Sequence, residues 1–426
     1  MPKSIIRTTI ILLLCLFVAA FIQIQAAGGP GGEITVWGWD NPDSVVQETF
    51  RKTHPSIKVN YIKMDWQSVI QKLLASLVAG TGAPDVANIE CSAVAQFMAR
   101  AQNGGMVDLS KLVAKYKNDI APYSLSIGTA PNGKIIAIPS DAAPAIVFYR
   151  RDAFEKAGVK AEDIKSWADL IEAGKKMGAA TGGKVKLSAT ASELFNFQFL
   201  LNDGVGGLID KNGKLSLVTR KKEALAALKL ARAAVDAGVV AQVASWGNDW
   251  FAGFKNGNIA TYTSGCWLGG GIKADLAPET KGKWGAMPLP QAKQGFHGGT
   301  WMCIPAQSKN KDAAWEYLRW NILDVNGGAK LGFVNSTWQT IPAYRPCYED
   351  PIFHQPDEFF AGQKVGELYI ETTAKAPKMF FHEKDREAIA LMHAEFAKCL
   401  VEKSITPEQA LDNAIKAILG KGLAKK

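Results

Sequence analysis

Ile34-Thr-Val-Trp37-Gly-Trp39-Asp40 opens a run that closes, about 50 residues on, with Pro84-Asp85-Val86-Ala87-Asn88-Ile89-Glu90. Between them, Val45 to Thr53 has helical character and stops at His54-Pro55, because a proline biases the residue before it away from the helical region. Ile57 to Ile62 alternates apolar and polar residues as a strand does. From Trp66 to Ala79 the residues Val69, Ile70, Leu73, Leu74, Leu77 and Val78 share one helical face, and Gly80 and Gly82 end it. Strand, helix, strand, helix, strand at this spacing predicts an α/β fold with a parallel sheet.

Working outward, a second block starts near Pro139, with a strand from Ala145 to Tyr149 and a short helix from Asp152 to Ala157 closed by Gly158. Ser166, three residues before Asp169, predicts a capping box at the start of the next helix. Asp210-Lys-Asn212-Gly213-Lys reads as a hairpin turn with positive φ at both central positions, since a calcium loop would need alternating acidic ligands that are missing. Lys222 to Ala237 is a helix, Ile259 to Thr263 a strand, and Gly265-Cys266-Trp267 falls just past it. A strand near Trp301 to Ile304 and helices at 311–323, 383–402 and 407–419 complete the pattern, the last with Thr406-Pro407-Glu408-Gln409 as its capping box.

The amino-terminal residues address the chain outside the cytoplasm. Lys3 and Arg7 form a basic region, Ile10 to Val18 an apolar one, and Ile24-Gln25-Ala26 ends in small-residue style before Ala27, as in a cleavable signal peptide spanning 1–26 and leading to the periplasm. An uncleaved anchor is the alternative; a lipoprotein fits less well, because Leu14 precedes Cys15 where a small residue is needed. The formal net charge of +9 over 426 residues is spread without a long basic run or interleaved aromatics, which argues against nucleic acid as a partner. Cys91, Cys266, Cys303, Cys347 and Cys399 are odd in number and lack any C-x-x-C spacing, so buried thiols fit better than a disulfide framework. No G-x-S-x-G, Walker-type P-loop or G-x-G-x-x-G occurs, and the five histidines never fall at i,i+2 or i,i+4. The residues nominate no catalytic group, no metal and no cofactor.

Asp141-Ala-Ala-Pro144-Ala-Ile-Val-Phe-Tyr149-Arg-Arg-Asp152-Ala-Phe154-Glu155-Lys156-Ala-Gly158, followed by Ser166-Trp167-Ala-Asp169-Leu170, resembles the family 1 extracellular solute-binding proteins, the maltose-binding-protein-like components of ABC sugar transporters. Ile34 to Trp37, Ala79-Gly80-Thr81-Gly82-Ala83-Pro84-Asp85-Val86, Gly253 to Gly257 and Ile341-Pro342-Ala343-Tyr344-Arg345 extend the likeness; Arg150 departs from it, where the family has Asn or Asp. The resemblance implies a type II periplasmic-binding-protein fold of two α/β lobes joined by hinge crossovers. One lobe would comprise 27–138 and 291–342, the other 139–290 and 343–426, with the ligand in the cleft between them. It implies a small-molecule ligand, a membrane permease as partner and a monomer.

A sugar presents apolar C–H faces and a rim of hydroxyls, so its site needs aromatic plates together with carboxylates or amides. The chain holds 12 tryptophans. Trp267, in a glycine-rich setting at the position where the family commonly stacks an aromatic, ranks first. Asp141 lies at the first expected hinge; Glu90, Trp39 and Asp40 follow strands at the end where α/β proteins bind ligands. Trp301 and Trp338 flank the other hinges. Trp250 is a weaker candidate and so is Trp246, since Trp250 and Phe254 have the i,i+4 spacing of a core stripe; Trp66, Trp167, Trp284, Trp315 and Trp320 read as structural. The expected function is delivery of a mono- or oligosaccharide to an ABC permease. The rivals are a polyamine or other non-sugar solute on the same scaffold, a secreted carbohydrate-active enzyme, and a sensor component.

Overall fold

The computed structural model describes residues 30–102, 105–200, 206–291, 294–335 and 338–426, so the expected signal peptide lies outside the described residues. Strands β1 (Gly32–Gly38), β2 (Ile57–Lys63), β3 (Val86–Glu90), β4 (Ile138–Pro139) and β8 (Thr300–Cys303) form a sheet of order β2-β1-β3-β8-β4. Pairing is parallel from β2 through β1 to β3 and antiparallel at β8. Helices α1 (Val45–Thr53) and α2 (Trp66–Ala79) are the crossovers that parallel pairing requires. Ser44 and Asp65 start them by accepting hydrogen bonds from the amides of Gln47 and Ser68. α3 (Cys91–Gln102) follows β3 directly. Ile34 and Val36 bury against Phe50 of α1 and Tyr317 and Trp320 of a later helix, whereas Trp37, Ala87 and Ile89 join Val69, Ile70 and Leu73 of α2. Both faces of the inner strands are therefore covered, as the almost wholly buried β3 shows, whereas the edge strand β2 keeps its alternation of apolar and polar residues.

The second sheet has order β6-β5-β7, built from β5 (Ala145–Arg150), β6 (Thr261–Gly265) and β7 (Trp284–Pro288), with β5 central and antiparallel to both neighbours. Around it lie α4 (Trp167–Ala180), α5 (Ala191–Phe199), α6 (Lys221–Asp236), α7 (Asn248–Asn256) and the short α8 (Trp267–Gly271). α9 (Lys311–Leu323) and α10 (Gly328–Asn335) return to the first sheet, and α10 packs on α1 and α9. α11 (Asp385–Leu400) and α12 (Pro407–Gly420) pack on each other and on α6 in the second lobe. Both expected capping boxes are formed, Ser166 with Asp169 and Thr406 with Gln409.

Three chain segments cross between the lobes, and they are bonded side by side. Ala142 N–H donates to Ile341 O (2.8 Å) and Ala343 N–H to Ser140 O (3.3 Å); His297 N–H donates to Ala143 O (3.0 Å) and Ala145 N–H to Gly295 O (2.9 Å). Tyr123 stacks on Phe296 with centroids 5.0 Å apart and donates its hydroxyl to Ala142 O, while Tyr348 donates to Pro342 O at 2.6 Å. At these rungs the polar backbone passing between the lobes finds its hydrogen-bond partners in the neighbouring crossover.

Some local expectations need correction. The Asp210 turn has positive φ at Gly213 but not at Asn212, because Asp210 Oδ1 accepts from both Asn212 N–H and Lys214 N–H and holds a wider loop. The strand expected at Ile259 begins at Thr261, since Ile259 pairs instead with Lys186. Trp267 opens the helix α8 rather than a loop, and five residues of π-helix follow at Ile272–Leu276. All five cysteines of the described residues are buried free thiols.

Candidate ligand-binding cleft

The first lobe contributes carboxylates at the carboxyl ends of its parallel strands. Asp40, two residues past β1, accepts from Tyr61 Oη of β2 (3.3 Å) and from Asn88 Nδ2 of β3 (3.2 Å). It is exposed to solvent, yet the surrounding protein desolvates it enough to raise its pKa against the opposing hydrogen bonds. Gly38 is required here because a Cβ would overlap the Tyr61 hydroxyl and the Asn88 amide. Asn88 is fully buried, and its Oδ1 finds no hydrogen-bond partner among the described residues. Glu90 ends β3 and turns back on α3, accepting from Cys91 Sγ (2.8 Å) and from Ser92 N–H (3.0 Å) and Oγ (2.5 Å).

Asp141 stands on the first crossover, 4% exposed, with Oδ1 accepting from Thr300 N–H at 2.8 Å. Burial pushes its pKa up to about 7; the Thr300 amide opposes that, and the charges of Asp40 and Glu90 add to it.

A second set of side chains centres on the indole of Trp267. Trp267 donates Nε1–H to His297 O at 2.9 Å, which fixes its ring. Around it stand His297 (6.1 Å between centroids, 28° between planes), Trp246 (6.0 Å, 19°) and Trp338 (5.8 Å, 57°). Trp246 is 53% exposed and held at φ +67°, a left-handed conformation costly for a bulky residue. His297 is solvent-accessible but enclosed enough that desolvation lowers its pKa to about 4, leaving the imidazole neutral at pH 7. Glu193, on α5, receives Ser245 Oγ–H at 2.5 Å, and burial pushes its pKa up to about 7.

Gly298 and Gly299 bring the two sets together. A Cβ on Gly298 would lie 3.0 Å from Trp267 Nε1, and one on Gly299 2.9 Å from Asp141 Oδ1; both glycines have positive φ. Indole wall and carboxylate floor are separated by a single bare strip of backbone.

Of the tryptophans expected in the site, Trp267 and Trp338 are partly exposed and adjoin one another, and Trp39 is partly exposed beside Asp40. Trp301 is a correction: it is 1% exposed and donates Nε1–H to Ser124 O at 3.0 Å, because β8 is an interior strand of the first sheet. Trp250 is also core, 4% exposed and edge-on to Phe254 at 4.6 Å, although its Nε1 finds no hydrogen-bond partner among the described residues. Sequence reasoning missed Glu193, which has capping-box spacing after Thr190. It missed His297 among isolated histidines, and it set Trp246 aside with the Trp250 stripe.

The model of the bacterial extracellular solute-binding protein family matches residues 41–322, about two thirds of the chain. The chain belongs to that family. This solute-binding protein is 26% identical to the arabinooligosaccharide-binding protein of Bacillus subtilis (strain 168) over 439 residues, covering 97% of this chain and 98% of that one. It is 25% identical to the lactose-binding protein of Rhizobium radiobacter, covering 91% of each. Among solved structures, it superposes with a TM-score of 0.75 and 26% identity on the ABC transporter associated binding protein from B. animalis subsp. lactis Bl-04 in complex with β-1,6-galactobiose, covering 92% of this chain and 98% of that one. The binding protein therefore has the two-lobed type II fold, with its crossovers as the hinge, and its family is one of extracellular binding proteins rather than enzymes.

Proposed function

We propose that this binding protein captures a neutral oligosaccharide in the cleft and presents it to an ABC-type permease. The observation that carries the reading is the juxtaposition at Gly298-Gly299 of Trp267 with Asp141. An indole face covers the apolar side of a pyranose or furanose ring, and a neighbouring carboxylate accepts from its hydroxyls. Asp40, Asp141, Glu90 and Glu193 supply acceptors, His297 a neutral donor or acceptor, and Trp39, Trp246, Trp267 and Trp338 the plates. Relatives that bind arabinooligosaccharides and lactose, and a structural neighbour holding a galactobiose, support a sugar over a polyamine. In the same reading the lobes are 27–138 with 291–342 and 139–290 with 343–426, residues 1–26 are a signal peptide cleaved on export to the periplasm, and the protein acts as a monomer without a cofactor.

Isothermal titration with arabinooligosaccharides, lactose and β-1,6-galactobiose tests it. A saturable heat with one of them, and unaltered sugar by chromatography afterwards, is the expected result. Cleaved sugar would make the protein an enzyme; saturable binding of spermidine with none of the sugars would move the ligand to the polyamines.

A further inference from the structure

Among the contacts between the lobes are two that involve an indole of the first lobe, at Trp66 and at Trp338. Trp66 opens α2 on the first lobe with its side chain 38% exposed, unusual for so large an apolar group and at odds with its expected structural role. The guanidinium carbon of Arg386, in the first turn of α11 on the second lobe, lies 5.4 Å from the centroid of that indole. Trp338 leaves α10 of the first lobe and lies against α8 of the second. A Cβ on Gly271 would overlap its six-membered ring. Gly271 has φ −59° and ψ −43°, ordinary helical values, so the glycine serves space and not backbone freedom.

We propose that these two contacts are latches, made when the lobes close and broken when they part, which hold part of the unliganded population closed. The proposal rests on the two-lobed binding reading but concerns closure, which the ligand's identity does not enter. Contacts present in one state only shift the equilibrium toward it by their own free energy. A cation over an indole face at a partly exposed site is a contact of suitable size: its loss lowers the closed-to-open ratio by about two- to fivefold. For Arg386, which lies outside the proposed set of ligand-binding residues, the affinity for any ligand that needs the closed form falls by up to the same factor.

The test uses the full mature protein without sugar. Replacing Trp66→Cys and Arg386→Cys together creates two surface thiols above five buried native ones. A short bifunctional maleimide is expected to join them within one molecule and fix the smaller radius of gyration. Small-angle scattering of Arg386→Gln is expected to give a larger mean radius than the parent, with Arg386→Lys between the two and the thermal midpoint unchanged. Gly271→Ala, which displaces Trp338, is expected to expand the molecule likewise. Two thiols that each take a monofunctional maleimide yet never cross-link, or a radius unchanged in both Arg386→Gln and Gly271→Ala, would overturn the latch. Because no sugar is present, that result leaves the sugar reading standing.

Discussion

At the scale of single residues, the cleft is governed by what burial does to charge. Asp141 has its folded pKa at about 7 against an ordinary 3.8, so the folded state holds the proton more tightly than the unfolded chain. Stability from this group is complete below about pH 4 and is lost as pH rises through 7. Asp141→Asn keeps an oxygen for Thr300 N–H and removes the charge. Its unfolding free energy at pH 8 is expected to exceed the parent's by about 1–3 kcal/mol in urea melts, with the gain vanishing toward pH 4. An advantage independent of pH would mean the carboxylate is not the cause. Trp267→Ala tests the aromatic wall: ligand affinity is expected to fall by about 2–3 kcal/mol in titrations, with a smaller change in unliganded stability because the ring is only partly buried. The placement of Asp40 and Glu90 at the ends of strands, and of Trp267 in a glycine run, was legible in the sequence. Trp301 and Trp250 misled because an indole at a strand end or helix face is equally suited to core, and only three-dimensional neighbours separate the two.

At the scale of elements, local chemistry was the most readable part. The capping boxes at 166–169 and 406–409 formed where the sequence placed them, since both partners lie within one turn and need no tertiary context. Thr406→Ala is expected to cost about 1 kcal/mol of stability in the same melts, and Thr406→Ser to restore most of it. The helix α8 was not readable, because three consecutive glycines argue against helix by propensity. They persist in it because neighbouring side chains occupy the missing methyls' space: Phe148 and Tyr369 at Gly269, Trp338 at Gly271. The β1-α1-β2-α2-β3 unit was legible from periodicity, whereas the antiparallel entry of β8 beside β3 was not, since its partner lies more than 200 residues earlier.

At the scale of the whole molecule, one face of the first sheet has its own core with α1 and α9, while its other face and the second sheet share a continuous apolar core, and the two sheets are joined by the bonded crossovers. Ligand is therefore expected to change the angle between lobes and little within them. Saturating sugar should lower the radius of gyration in solution scattering and alter tryptophan emission, with far-ultraviolet circular dichroism unchanged. A change in helix content would point to folding on binding instead. The rungs between 140–145, 295–297 and 341–343 carry one more implication. A ribbon of three bonded segments flexes readily across its width but resists sliding and shearing, which would break every rung at once. Motion is thereby confined to nearly one coordinate, and the spacing between the far rims of the protein becomes a gauge of whether the cargo bay is filled. Under the proposed function, a permease gripping both rims would read that gauge from outside, without ever touching the sugar.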